Sequence, residues 1–212
     1  VFVTPDAQRT MATHLGAASL LAPEDLDEEV ISNSKIVYVE GYLFDQPVAQ
    51  KAILRAANLA HMAGRSFAVT LSDSFCLDRH RAAFIDLVEH HTDILFANEQ
   101  EIISLYQTEN FEAALRRAEG KIGIVCVTRG EKGAVILGNG KRVEVAAEPV
   151  EKLVDTTGAG DQFAAGFLFG LSQSMDLLEC GRIGAIAAAE IISHYGARPE
   201  ENLAALVAAK HV

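Results

Sequence analysis

Asp155 and Asp161 stand six residues apart in the stretch "DTTGAGDQFAAG", with Gly158-Ala159-Gly160 between them. The glycines lie where the extended "EKLVD" meets the helical "FAAGFLFGL". A helix entered this way presents unpaired N–H groups and the positive end of its dipole. Such a terminus holds an anion without Lys or Arg. Asp161, directly behind the turn, would repel a guest that brought only negative charge. It is explained if the guest also brings a hydroxyl, because the terminus favours a carboxylate and a carboxylate accepts protons. On that reading Asp161 takes a hydroxyl proton while the amides of Gly158, Ala159 and Gly160 take charge developing on a transferred phosphoryl group. Positioning and charge stabilisation dominate such transfers. The plainer reading also stands: an acid in a first helical turn and glycines that merely turn the chain.

Two familiar phosphate motifs are absent. Gly140-Lys141 is followed by Arg142, not by Ser or Thr, and Gly158-Ala159-Gly160 continues as Asp161-Gln162-Phe163. No P-loop and no dinucleotide fingerprint is therefore present.

Elements that position these residues follow from the apolar pattern. "KIVYVEG", "SFAVTLSD", "DILFAN" and "IGIVCVTRG" read as four strands separated by helical stretches, among them Val48 to Met62, "RHRAAFIDLVEHH", "EQEIISLY" and "FEAALRRAEG". Near-continuous Val/Ile runs alternating with helices predict an α/β fold with a mostly parallel central sheet, helices on both faces. "GAVILGNGKRVEVAA" predicts a hairpin turning at Gly138-Asn139-Gly140. "VFVTPDAQRTMATHLGA" predicts a further hairpin at Pro5-Asp6. The last third is mostly helical, and one α/β domain is the economical organisation.

Composition bounds the partners. The 212 residues are 50% hydrophobic and carry 29 acids against 18 Lys and Arg, a net charge of −11. No basic block offers a footprint for nucleic acid or an anionic membrane surface. The apolar runs "FAAGFLFGL" and "IGAIAAAEII" are too short to span a bilayer. Cys76, Cys126 and Cys180 are scattered without a CxxC pair, which suits a reducing cytoplasm. Cys126, inside "IGIVCVT", reads as a small buried hydrophobe. His14, His61, His80, His90, His91 and His211 show no metal-ligand spacing.

"DTTGAGDQFAAGFLFGL" resembles the C-terminal signature of the ribokinase-like (PfkB) carbohydrate kinase family. The resemblance implies a ribokinase-like three-layer sandwich, with Asp161 as catalytic base and the backbone of Gly158, Ala159 and Gly160 as anion hole. It implies ATP and Mg²⁺, and in cation-dependent members a monovalent cation such as K⁺ near Asp155 and Thr157. Asp155 reads equally well as a cap of the turn. Asn98 and Glu101, in "ANEQE", resemble an NxxE pattern that organises Mg²⁺ and the ATP phosphates; they also fit a capping box. Thr128, Arg129, Gly130 and Gly133, in "VTRGEKG", resemble a TxGxxG loop that touches ATP, or form a polar turn into the hairpin. By the same alignment Gly184 lies near the adenine, and Ile191, His194 and Gly196, in and before "HYGARP", contribute cation-binding carbonyls. Arg9 resembles a lid arginine that reaches the phosphates in a closed state, against the commoner exposed hairpin arginine.

The match covers nearly the whole chain but the later two-thirds of a typical member. Residues 1–18 are then the remnant of a β lid and 19–212 the kinase core. Val1 begins inside a predicted strand and no Gly-Gly dipeptide occurs, so the sugar-facing N-terminal segment is expected to be missing. A sheet without its first strands exposes an apolar edge, which suggests association, as in a homodimer. The expected function is ATP-dependent phosphorylation of a hydroxymethyl group on a sugar or nucleoside. The lid segment "RTMATHLGA" and the GAG form lean toward adenosine kinase-like members, with ribokinase or another sugar kinase as runner-up. A hydroxymethylpyrimidine-type kinase and a non-catalytic nucleotide- or sugar-binding regulator are the other readings.

Overall fold

The computed structural model describes residues 1–72 and 74–210; His211 lies outside them. Six strands form one sheet in simple sequential order: β3 (Ile36–Glu40), β4 (Ser66–Thr70), β5 (Ile94–Asn98), β6 (Ile124–Thr128), β7 (Ala134–Gly138) and β8 (Lys141–Val145). The first three pair in parallel, Ile36 opposite Ser66 and Ala68 opposite Ile94. Parallel neighbours need a crossover of a dozen or more residues. The short links from β6 to β7 and from β7 to β8 therefore reverse the chain and make the sheet mixed. The central strands are buried at consecutive positions, for example Phe67, Ala68 and Val69 on β4 and Val125, Cys126 and Val127 on β6. Successive side chains point to opposite faces, so both faces are covered. This is the α/β class expected from the alternating apolar runs.

Contacts group the chain into two compact units. One comprises residues 15–127 and 137–141. Its crossovers are α2 (Pro47–Met62), α3 (Ser74–His91), and the pair α4 (Glu99–Tyr106) and α5 (Phe111–Ala118); a short α1 (Glu28–Asn33) precedes β3. α2 starts with Pro47 at a position where the missing N–H costs nothing, and it buries an alanine-rich stripe from Ala49 to Ala60. α3 starts earlier than the amphipathic stretch from Arg79 predicts, and His80 interrupts its helical dihedrals. There Asp45 accepts from Arg79 Nε at 3.0 Å and faces His80 Nε2 at 3.0 Å.

The other unit comprises residues 1–14, 128–136 and 142–212. Here β1 (Phe2–Val3) and β2 (Arg9–Thr10) pair antiparallel, Phe2 opposite Thr10, as the predicted hairpin. Two long helices follow, α6 (Ala159–Ser172) and α7 (Leu177–Ile191), and then α8 (Leu203–Ala209). Asp176 and Glu179 close a capping box at the start of α7. α6 and α7 pack closely because glycines face them across the contact. A Cβ on Gly184 would stand 2.8 Å from the Phe163 carbonyl oxygen, and one on Gly166 2.8 Å from that of Ile183. Cys76, Cys126 and Cys180 are buried thiols, and burial first, then Asp176, raises the Cys180 thiol to about 11. No described helix is long and apolar enough to cross a membrane.

Candidate active site

The α6 N-terminus is built as a bare turn. Gly158 is the N-cap with φ +82°, and a Cβ there would lie 3.2 Å from the Ala197 Cβ. Its carbonyl accepts the first helical bond, from Gln162 N at 2.9 Å. No hydrogen bond among the described residues uses the N–H of Gly158, Gly160 or Asp161. The Ala159 N–H differs from expectation: it points back to the Thr156 carbonyl at 3.3 Å. The tight 156–159 turn therefore uses one of the three expected amides, and the unbonded ones at this terminus are those of Gly158, Gly160 and Asp161. The Asp161 side chain is exposed in the first helical turn. No described residue bonds or pairs with it.

Asp155 holds this turn from below. It is 3% exposed. One carboxylate oxygen accepts from the Thr157 N–H at 2.9 Å and the Thr157 hydroxyl at 2.6 Å; the other accepts from the Gly196 N–H at 3.1 Å. The Thr157 hydroxyl, then the two amides and the Arg9 charge, hold its pKa below the usual carboxylate range against the opposing effect of burial. That is the arrangement of a turn cap. Three of about four lone-pair positions are used. No described hydrogen bond uses the carbonyls of Ile191, His194 or Gly196. Arg9 is exposed on the hairpin, and its Nη1 donates to the Thr156 carbonyl at 3.2 Å and hydroxyl at 3.0 Å. The Thr156 hydroxyl in turn donates to the Ala7 carbonyl at 3.2 Å, so the N-terminal hairpin is fastened to the turn.

Beside the turn lies a partly open cavity of about 550 Å³ lined by residues of this unit. Ala159 and Gly160 border it, and so do Thr128, Gly130 and Gly133 of the predicted TxGxxG loop. Its walls are mainly apolar, with Val150, Leu153, Phe163, Ala185, Ala188 and Ile192. Arg129 is not among the lining residues; its N–H closes the loop on the Gly133 carbonyl at 2.7 Å. Gly184 also stands away from the cavity, in the α6–α7 contact, while its neighbour Ala185 lines it.

In the parallel unit, Asn98 and Glu101 form a complete capping box at the start of α4. Glu101 N donates to Asn98 Oδ1 at 2.8 Å, and Asn98 N donates to Glu101 Oε2 at 2.8 Å. Sequence reasoning passed over a polar cluster at the C-terminal ends of β3 and β4. Ser72, at φ +58°, donates to Glu40 Oε2 at 3.0 Å and accepts from Gly41 N at 3.0 Å. A non-glycine residue in the left-handed region is uncommon, and the sequence carries no signal for it. It also passed over Glu190, whose signal was present: a lone acid inside the apolar run "IGAIAAAEII".

Glu190 is 7% exposed. Its Oε1 faces His194 Nε2 at 3.1 Å. Burial pushes the His194 pKa down, but the Tyr195 carbonyl and the Glu190 and Glu200 carboxylates outweigh it and raise the pKa above the usual value.

Comparison with known proteins finds relatives along nearly the whole chain. The pfkB family carbohydrate kinase model matches residues 1–203. The structure of a probable sugar kinase protein from Rhizobium etli CFN 42 is 49% identical, with a TM-score of 0.94 over 99% of this chain and 63% of the other. That of adenosine kinase from Sinorhizobium meliloti is 46% identical, with a TM-score of 0.94 over 99% and 64%. An uncharacterized sugar kinase of Archaeoglobus fulgidus is 31% identical over 203 residues, 93% of this chain and 77% of the relative. The chain thus spans less than two thirds of the length of the two solved structures it matches. With the helix-terminal turn, its exposed carboxylate and the matched span in view, this chain belongs to the pfkB family of carbohydrate kinases.

Proposed function

We propose that the chain carries the phosphoryl-transfer machinery of an ATP-dependent kinase that phosphorylates a hydroxymethyl group on a sugar or nucleoside, adenosine first among the candidates. One observation carries the reading. A single turn offers amides and an exposed carboxylate that no described residue engages, and it borders a mainly apolar cavity whose volume lies in the range of small-molecule sites.

Asp161 accepts the proton of the acceptor hydroxyl as its oxygen attacks the γ-phosphorus. The bond from that phosphorus to the β–γ bridging oxygen breaks, and ADP leaves with the electron pair. The amides of Gly158, Gly160 and Asp161 meet the negative charge on the transferring group. The apolar wall of Val150, Leu153, Phe163 and Ile192 suits the face of a base, and the loop of Thr128, Gly130 and Gly133 suits the polyphosphate end.

Mg²⁺, when bound, neutralises phosphate charge. Among the described residues no cluster of three or more His, Cys, Asp or Glu forms a protein cage, which fits an ion held mainly by phosphates and waters. A monovalent cation would find the remaining lone pair of Asp155 and the unused carbonyls of Ile191, His194 and Gly196. The relatives bearing adenosine kinase names, and the lid segment "RTMATHLGA", support a nucleoside acceptor.

The test is phosphate transfer from ATP to adenosine, ribose and fructose by the full-length protein, wild type and Asp161→Asn. Adenosine is expected to be the best acceptor. Loss of the base is expected to lower turnover roughly 10²–10⁴-fold with nucleotide affinity kept. A variant with ordinary turnover would remove the mechanism, and ATP binding without transfer to any alcohol would favour a regulator.

A further inference from the structure

We propose that Glu190 is a positioning residue for the phosphoryl-transfer turn, acting through the segment that follows α7. This rests on the reading of the 155–161 turn given above.

After α7 the chain passes along the turn and touches it three times. The Ile192 carbonyl accepts from Val154 N at 2.9 Å, Gly196 N donates to Asp155 at 3.1 Å, and Ala197 stands against Gly158 so closely that a Cβ there would be 3.2 Å away. Residues 192–197 are therefore the wall against which the turn is set. The segment has little hydrophobic anchorage, because residues 195–201 are exposed.

Glu190 gathers it instead. Its Oε1 faces His194 Nε2 at 3.1 Å and accepts from Glu200 N at 2.8 Å and Glu201 N at 3.0 Å. One buried oxygen thus closes the loop at both ends. The companion Oε2 is buried with no partner among the described residues. A bare buried carboxylate oxygen is costly, so the contacts gathered at Oε1 must offset it. What it supplies is convergence of three donors at one point. Charge-assisted bonds of this kind are stronger than neutral ones. If Oε1 is removed, the Gly196 and Ala197 contacts lose their support, and Asp155 with Gly158 loses its wall.

Amide hydrogen exchange on the ligand-free full chain tests this independently of catalysis. In Glu190→Ala, the Glu200 and Glu201 amides are expected to exchange on the order of tenfold faster, and so are the Val154, Thr157 and Gly196 amides of the turn and its wall. Amides of β4 and β5 should keep wild-type protection, which excludes global unfolding. Glu190→Gln keeps an acceptor at Oε1 and should restore most of the protection. His194→Gln, a second variant in case Glu190→Ala fails to fold, should give a smaller loss at the same turn amides. Unchanged protection at Thr157 and Gly196, whether or not Glu200 and Glu201 respond, overturns the proposal.

The second readout is the ratio of ADP–aluminium fluoride affinity to ADP affinity. It is expected to fall about tenfold in Glu190→Ala and to recover in Glu190→Gln, since one oriented donor set meets the anion. General destabilisation would not move this ratio, and a constant ratio counts against positioning. A wild-type protein that transfers no phosphate would defeat the kinase reading alone and leave the exchange result to decide on Glu190.

Discussion

Gly158 and Gly160 sit two residues apart, yet their replacement by alanine should have opposite effects on stability. Gly158 holds φ +82°, and its new Cβ would stand 3.2 Å from the Ala197 Cβ. An L-residue in the left-handed region costs roughly 1–2 kcal/mol, with some crowding added. For a domain of this size that corresponds to a fall in melting temperature of about 2–8 °C. Gly160 has an ordinary helical φ and its added Cβ meets nothing within 4 Å. Gly160→Ala should leave stability unchanged or raise it by up to about 1 kcal/mol, since alanine is the better helix former. The open space that makes this substitution harmless to folding is the space in front of the bare amides and beside the cavity. On the function proposed above, its methyl group would crowd the position of the transferring phosphoryl group. Both variants should therefore lose turnover, by the roughly 10²–10³-fold typical of a lost charge-stabilising donor. Only Gly158→Ala should also lose thermal stability. The assays are thermal unfolding and phosphate transfer to adenosine on the same preparations. Normal turnover in Gly160→Ala would refute the placement of the anion at this terminus. Unchanged stability in Gly158→Ala would refute the conformational argument.

Further predictions concern the scaffold. Asp45 has its pKa lowered: burial opposes this, but Arg79 and then His80 outweigh it. A folded-state pKa below the unfolded one stabilises above the unfolded value, about 3.9, and that stability is lost as pH falls through the folded pKa. Melting temperature should therefore drop below about pH 4, with a shallower drop in Asp45→Asn; equal slopes would count against the ion pairs. Gly184→Ala should destabilise by about 1–3 kcal/mol, the range for overpacking, because its Cβ would meet the Phe163 carbonyl oxygen at 2.8 Å. Denaturant titration measures this, and a neutral result would show that α6 and α7 can separate at no cost.

Periodicity and turn chemistry are local, and what they encode was legible. The four apolar runs became β3 to β6. Asn139 and Gly140 took φ +53° and +67°, the paired positive values of the hairpin turn their side chains permit. Asn98 and Glu101 closed the capping box that a three-residue spacing allows. The glycine-rich entry to α6, followed by an acid, was likewise readable, because a helix's first turn always has spare N–H groups.

Which of those N–H groups remain spare was decided elsewhere. The Ala159 amide is spent on Thr156, a matter of how tightly the preceding turn winds. Arg9 is held by Thr156, 147 residues later in the chain. Gly184 serves the contact of two helices rather than the cavity, which depends on where the partner helix crosses. Glu190 was visible as an acid in an apolar helix, but its three donors come from residues beyond the helix end. Amino-acid order determines which conformations each segment prefers, because those preferences arise within a few residues. Partners for a buried carboxylate or an open amide are assigned only when distant segments pack, because hydrogen bonds and close contacts depend on position to within fractions of an ångström.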